Sequence, residues 1–326
     1  MGNRIKTKPK IKIKNSLPKS WLPELIELAR SYPYEQKRKK LQQIDIAHQV
    51  EASLCSDGNS RFITALREEQ PVGLIKISAS PLHSKVLDQK IYTGSWELIK
   101  NNNNEIRRAI FQKLRKEFSG TRINFQQPGA NKTACQLFER MEGYQYNTQE
   151  ILMYRTLDPA PKKPADPGEE FNLVDGSEIN EKQLEKLINH YHQGHLFQFP
   201  GYADDKVWKI YWRWLTAIRR GENSHEAALV HENGRLAGYC LVKTNNSPFS
   251  GVNSGTVSYL QVHPDFKSQG LGSFLLREGL HILGRQNTGY VELKTSHQNK
   301  VAVDFYQKFG FETISRRIHF SLRPAG

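Results

Sequence analysis

The stretch from Thr256 to Phe311 constrains the fold of this chain more than any other part. It opens on an apolar, β-rich run, Thr256-Val257-Ser258-Tyr259-Leu260-Gln261-Val262. The segment His263-Pro264-Asp265-Phe266 predicts a turn, and Lys267-Ser268-Gln269-Gly270-Leu271-Gly272 predicts a glycine-containing loop. From Ser273 to Arg285, Phe274, Leu275, Leu276, Leu280 and Leu283 recur as one broad stripe, the signature of an amphipathic helix. A second strand, Tyr290 to Thr295, leads to Asn299 and a further amphipathic helix that ends at Phe309-Gly310-Phe311.

A strand, a glycine loop and a helix N-terminus together make an anion site, because unpaired backbone N–H groups and the helix dipole converge there. Glycines at 270 and 272 remove side chains that would keep a phosphate from the backbone. Taken alone the loop reads more readily as a plain turn. Two further features add to it. Lys267-x-x-Gly270-x-Gly272 follows a strand ending in Val262-x-Pro264, and later comes Asn299-x-x-Ala302-x-x-Phe305-Tyr306-x-x-x-Gly310-Phe311.

These two signatures, in this order, resemble those of the GNAT superfamily of acyl-CoA-dependent N-acyltransferases. Lys267 stands where the family usually has Arg or Gln, which keeps the positive charge. The resemblance covers the last half of the chain and implies an acetyl-CoA-dependent N-acetyltransferase, without a metal, acting on a primary amine of a small molecule or peptide. It implies that the fourth and fifth strands of the module splay apart around the pantetheine arm. Backbone groups of Leu260, Gln261 and Val262 would pair with the arm, and Lys267, Ser268, Gln269, Gly270, Leu271, Gly272 and Ser273 would hold the pyrophosphate. Asn299 would fix its helix start and touch the cofactor, and Tyr306 would protonate the departing thiolate. A backbone N–H near Leu260 or Val262 would stabilise the oxyanion. Some relatives place a general base early in the fourth strand, where this chain has Thr256. The candidates are then Glu226 and Glu292, ahead of His263 and Tyr259, with a solvent-facing strand glutamate as the plain alternative for each.

Asn131-Lys132-Thr133-Ala134-Cys135-Gln136-Leu137-Phe138 to Gly143-Tyr144 echoes Asn299 to Phe311, with Phe138 in the place of Tyr306. No G-x-G precedes it; an Asn run, 101 to 104, stands there. The proline-rich segment Asp158 to Gly168 is too stiff to join a sheet and reads as a linker. The reading is therefore an α+β (mixed α/β) protein of two GNAT-like modules, each a twisted, mixed, mainly antiparallel sheet flanked by helices. Residues 1–157 form a degenerate module, 158–168 the linker, and 169–326 the catalytic domain. In the first half the pattern predicts an edge strand at Lys10 to Lys14 and a helix through Arg30, capped by Ser20 with Pro23 in its first turn. A second helix is expected from Tyr34 to Leu54. Two separate strands, Phe311 to Arg316 and Ile318 to Leu322, are expected at the end.

The 326 residues carry a net charge of +14, unevenly spread. The first forty hold twelve Lys and Arg against three Asp and Glu, and residues 1–160 hold 27 against 16. Such a bias suits an edge that faces water, or a polyanion; a nucleic-acid partner is the lesser expectation. A non-catalytic acetyl-CoA- or RNA-binding protein that uses the basic first half is the alternative to the enzyme. Three scattered cysteines, Cys55, Cys135 and Cys240, suggest reduced thiols with packing roles. With no apolar run of membrane-span length and no signal-peptide pattern, a cytoplasmic location without a membrane partner is expected. Aromatics and histidines from His190 to Trp214 would shape the acceptor mouth, with Trp208, Tyr211, Trp212 and Leu215 at core-helix spacing.

Overall fold

The computed structural model describes residues 11–31, 40, 45–55, 60–157, 161–189, 204–245 and 251–322. Contacts along the chain divide it into two units. Residues 45–147 and 318–322, with the N-terminal segment up to Ser31, form the first; residues 148–317 form the second.

In the first unit, strands β1 (Lys12–Lys14), β2 (Ser60–Arg67), β3 (Gln70–Ala79), β4 (Ile91–Ile99) and β5 (Arg122–Pro128) lie side by side in chain order. Strands β1 to β4 are antiparallel and β5 is parallel to β4. Lys12 and Lys14 on the edge strand are exposed and Ile13 half-buried, the alternation expected of a strand wet on one face. The β2–β3 turn is held by Glu68 and Glu69, both at positive φ, a conformation that matches the twist of a two-residue hairpin.

Helices α1 (Leu22–Ser31), α2 (Ile46–Cys55) and α3 (Pro81–Leu87) precede α4 (Asn104–Glu117) and α5 (Lys132–Arg140). In α4, Ile106, Ile110, Phe111 and Leu114 fall on one face and pack with Phe125 and Phe138. The Asn103 side chain accepts from the N–H groups of Glu105 and Ile106, so the Asn run ends as a helix cap. Phe320 and Leu322, from the end of the chain, complete this core.

The second unit has strands β7 (Phe171–Asp175), β8 (Ser224–His231), β9 (Leu236–Asn245), β10 (Ser254–Val262) and β11 (Tyr290–Ser296), again in neighbouring order. On the far side of β11 lie residues 150–156 of β6 (Tyr144–Thr156), antiparallel to it. The first part of β12 (Glu312–Leu322), up to residue 317, comes next. Helices α6 (Glu181–Asn189) and α7 (Asp204–Arg219) cover one face, where Leu184, Leu187, Tyr211 and Leu215 meet Tyr239 and Leu241. Helix α8 (Leu271–Arg285) covers the other, with Leu275, Leu276, Leu280 and Leu283 against Cys240, Val242, Val257 and Val291. It approaches β9 so closely at Gly279 that a Cβ there would lie 2.9 Å from Cys240 Sγ. Helix α9 (Lys300–Lys308) follows β11.

Three local expectations are corrected. Ser20 lies inside a 3-10 turn, Lys19–Trp21, that runs directly into α1 and leaves it no capping role. Helix α3 has no counterpart in the sequence reading, because its polar, seven-residue span carries too few apolar repeats to register. Residues 312–322 form one continuous strand, where two were expected. Of the helix expected from Tyr34 to Leu54, residues 34–39 and 41–44 lie outside the described residues, and the last part falls in α2. Linker residues 161–167 adopt neither helix nor strand.

Candidate active site

Strands β10 and β11 pair in parallel over four positions only, from Ser254↔Tyr290 to Val257↔Leu293. At that point the register between β9 and β10 shifts, between Val257 and Tyr259, as at a β-bulge. Beyond it Tyr259, Leu260, Gln261 and Val262 are paired with Leu241, Cys240, Tyr239 and Gly238 of β9, while β11 no longer pairs with them. A backbone edge is thereby opened in the interior of the sheet, on the residues expected to meet a pantetheine arm.

The chain leaves this edge through a 3-10 turn, Pro264–Phe266, whose Asp265 N–H is accepted by His263 Nδ1 at 3.3 Å. Lys267, Ser268, Gln269 and Gly270 are exposed, and Ser268 and Gly270 take φ of +64° and +82°. Helix α8 begins at Gly270 without any side-chain cap. Ser273 and Phe274 donate to Gly270 O, at 2.9 and 3.0 Å. The first-turn N–H groups of Leu271 and Gly272 thus have no capping side chain, the arrangement that attracts an anion. At Gly272 the nearest atoms to an added Cβ would be Val262 and Phe305, so strand, helix start and α9 converge there.

Asn299 caps α9, its Oδ1 accepting from Ala302 N–H at 3.2 Å. In the second turn of α9, Tyr306 is half-buried between Phe305 and Phe311, with ring centroids at 5.3 and 5.8 Å. Burial raises its phenol well above the ordinary tyrosine value, so the ring is a proton donor over the working range. It is also close enough to Tyr211 and Tyr259 to help hold both protonated, although burial is the main cause in each. Tyr259 OH donates to Gln261 Oε1, and Gln261 Nε2 donates to Leu187 O at 2.8 Å, tying the open edge of β10 to α6.

The two candidate carboxylates differ in their surroundings. Glu226 Oε2 accepts from Arg219 Nε at 2.8 Å and from Tyr239 OH at 2.8 Å. Arg219 in turn donates to Gly176 O and Ile179 O, both at 2.7 Å, so the cluster locks α7 to the turn after β7. Glu292 is buried at the last paired stretch of the parallel ladder, opposite Thr256. Strand alternation turns it away from Val291 and Leu293, toward the sheet face that α6 and α7 cover.

Trp208, Tyr211 and Leu215 are core residues of α7, while Trp214 is 41% exposed and stacks on Tyr211 at 5.5 Å. Residues 190–203, with His190, His192, His195, Phe197 and Tyr202, lie outside the described residues. Arg219 and Tyr239 escape the sequence reading; the signal available is β9 alternation, which puts Tyr239 on the Leu241 face beside the Glu226 strand. Cys135 and Cys240 are buried and unbridged, and burial pushes Cys240 up to about 12. Among the described residues no group of His, Cys, Asp or Glu could hold a metal, and no helix is long and apolar enough to cross a membrane.

The first unit repeats the parting but not the loop. Strands β4 and β5 pair from Ile91↔Arg122 to Gly94↔Phe125 and no further, with a register shift between β3 and β4. Only residues 100–103 join β4 to α4, against 263–270 between β10 and α8. Beyond the last pair, Glu97 of β4 accepts from Gln127 of β5 and from Arg107 Nε at 2.5 Å. Arg107 also donates to Asn104 Oδ1 and Asn102 Oδ1, both at 2.7 Å. Asn131 corresponds to Asn299 as a helix cap, and is further paired with Asn102 through both side-chain amides.

Comparison with known proteins agrees with this geometry. Residues 184–311 match the family model described as Acetyltransferase (GNAT) family. An uncharacterized N-acetyltransferase of Methanocaldococcus jannaschii is 29% identical over 115 residues, 34% of this chain and 48% of that protein. A mycothiol acetyltransferase of Thermobifida fusca is 34% identical over 100 residues, 30% of this chain and 31% of that one. The chain therefore spans about half the length of the first relative and about a third of the second. Among solved structures, a tandem GNAT protein from the clavulanic acid biosynthesis pathway aligns over 97% of this chain and 99% of its own, with a TM-score of 0.59 and 14% identity. A GCN5-related N-acetyltransferase from Sphaerobacter thermophilus aligns over 98% of both chains, with the same score and identity. At that identity the likeness is one of fold, and it extends over both units.

Proposed function

We propose that this protein, whose residues 184–311 match the acetyltransferase (GNAT) family model, is an N-acetyltransferase that moves the acetyl group of acetyl-CoA onto a primary amine. One observation carries the reading: β10 and β11 part after four paired positions, beside a half-buried Tyr306 and an uncapped helix start. In this reading backbone groups of Leu260, Gln261 and Val262 pair with the pantetheine arm. Lys267, Ser268, Gln269, Gly270, Leu271, Gly272 and Ser273 hold the pyrophosphate, and Asn299 steadies the start of α9 beside the arm.

The chemistry is a direct displacement. The neutral amine nitrogen forms the new bond to the thioester carbonyl carbon, and a β10 N–H near Leu260 or Val262 stabilises the oxyanion. The C–S bond then breaks, and Tyr306 gives its proton to the leaving sulfur. The surplus amine proton goes to a carboxylate, Glu292 or Glu226, directly or through water. Glu226 accepts two hydrogen bonds at Oε2, which also suits it to holding Tyr239 and Arg219 in place. The acceptor is a small-molecule or peptide amine, entering from the α6 and α7 side. Unbridged cysteines suit the cytoplasm as its location.

We assign catalysis to residues 169–326 and treat 1–157 as a degenerate module, with 158–168 as the linker. The short β4–α4 connection and the side chains that fill the first unit's parting support this division. Calorimetric titration of acetyl-CoA, followed by mass spectrometry of an amine panel incubated with protein and acetyl-CoA, tests the reading. One site per chain and an acetylated amine are expected. Folded protein that neither binds acetyl-CoA nor releases CoA thiol would remove the reading.

A further inference from the structure

The acetyltransferase reading gives no role to a groove on the first unit that carries three arginines, and that groove can be read independently of it. The groove runs along the outer seam of α4 and α5, about 420 Å³ in volume, and a second hollow of about 380 Å³ continues it toward Ile11 through Asn104, Arg108 and Gln112. Arg108, Gln112 and Arg115 follow one another at intervals of four and three along α4, so they share one face. That face is opposite the buried Ile106, Ile110 and Leu114. From α5, Gln136 and Arg140 are likewise four apart, and exposed.

Arg108 and Arg140 are exposed and have no ion-pair partner among the described residues. Arg115 is paired with Glu142 at 3.0 Å, which draws its charge to one end of the groove. The one other carboxylate of the lining, Glu105, is paired with Arg67 at 3.4 Å, so Arg108 and Arg140 are the charges left uncompensated among the described residues. The rest of the lining is amide and hydroxyl, and its apolar members, Ile11, Ala109, Leu137 and Met141, are buried or half-buried. A peptide partner needs buried apolar anchors to bind a groove well, and this one has none to offer. Exposed guanidinium forks flanked by Asn, Gln and Thr are instead what holds phosphate oxygens along a sugar–phosphate chain. We propose that the α4–α5 groove of the first unit docks the phosphodiester backbone of a nucleic acid, independently of base sequence.

The test uses the full-length protein and a fluorescein-labelled, mixed-sequence RNA of about twenty nucleotides, with a DNA duplex of equal length as the second probe, at about 50 mM salt. Anisotropy reports binding of the intact protein in the micromolar range, weakening about twentyfold by about 200 mM salt if three phosphates are neutralised. The double variant Arg108→Ala with Arg140→Ala is expected to bind about tenfold more weakly. Its plot of log K against log salt becomes shallower by about 1.4 for single strands. A second variant, Lys182→Ala with Arg285→Ala, removes the same charge from exposed positions on the other unit. If it weakens binding as much, only the overall charge attracts the probe and the groove is refuted. Displacement of the RNA by an equal-length polyglutamate would also overturn the proposal, in favour of an acidic protein segment. Unchanged thermal unfolding and acetyl-CoA titration of both variants keep a folding defect from imitating either result.

Discussion

Arg107 Nε lies 2.5 Å from Glu97 Oε1, inside the first unit, with the arginine side chain fully buried and the glutamate 8% exposed. This pair occupies the parting of β4 and β5, at the level where the second unit presents an open strand edge on β10. Gln127 reaches Glu97 from the opposite strand, so side chains take over where the backbone ladder stops. A ligand arm entering there would have to displace a satisfied buried ion pair, which is costly.

Removing one partner should therefore be severe. Arg107→Met leaves Glu97 charged and buried and is expected to lower stability by about 3–5 kcal/mol in urea unfolding. Replacing both, as Arg107→Met with Glu97→Leu, should recover most of that loss. Acetyl-CoA stoichiometry should stay at one per chain throughout. A second site appearing in the double variant would show that the pair was guarding a usable cofactor site.

Gly270 stands at φ +82° with nothing within 4 Å of an added Cβ. A side chain there meets no neighbour but is strained by about 1–2 kcal/mol. Gly270→Glu should thus keep the fold, by circular dichroism, while its carboxylate confronts the pyrophosphate at the start of α8 and abolishes acetyl-CoA binding in calorimetry. Undiminished binding would move the pyrophosphate away from this loop.

Tyr306→Phe is expected to lower kcat by about 10²–10⁴-fold with KM little changed, as for loss of a general acid. Burial keeps the phenol protonated well above its ordinary value, so the wild-type kcat profile should show no falling limb from this group up to about pH 10. A limb near neutrality that persists in Tyr306→Phe would belong to another group. Unaltered kcat in the variant would leave Tyr306 a packing residue.

What is legible in the sequence around the candidate site is local: a glycine turn and a helix cap are devices written in consecutive residues. Gly270 and Asn299 open α8 and α9, and the spacing of Leu275, Leu276, Leu280 and Leu283 is by itself enough to announce α8. What the sequence hides is non-local. Arg107 and Glu97 are ten residues apart on a helix and a strand, and only the split ladder brings them together. The grouping of 148–157 with the second unit and of 318–322 with the first is equally hidden. A proline-rich segment reveals where regular structure stops, not which sheet the flanking strand joins. Arg219 reads as a terminal helix cation, and its carbonyl acceptors arise from a turn some forty residues earlier.

Glu226 and Glu292 can be separated by what each loss costs. Glu226→Gln strands Arg219 against two carbonyls and one amide oxygen and should lower stability by about 3 kcal/mol, with the shape of the kcat–pH curve retained. Glu292→Gln should remove the acid limb of kcat. If the acid limb disappears with Glu226→Gln, the proton is accepted through the Arg219 and Tyr239 cluster.

The last expectation concerns alkaline pH. Tyr211, Tyr239, Tyr259 and Tyr306 of the second unit all have phenols raised above the ordinary value, burial being the leading cause in each. A group whose proton is held more tightly folded than unfolded adds stability in full below its unfolded pKa, here about 10, and loses it as pH rises toward the folded value. Melting temperature should therefore be insensitive to these groups from neutrality to about pH 9.5. Above about pH 10 each such tyrosine withdraws up to about 1.4 kcal/mol per pH unit, so unfolding should turn steep. Phenolate absorbance should then rise together with loss of circular dichroism. The variant Tyr211→Phe with Tyr259→Phe should flatten the fall by two groups. Ionisation of these tyrosines near pH 10 in still-folded protein would mean that water reaches their phenols, and that Tyr306 shares its acid role with solvent.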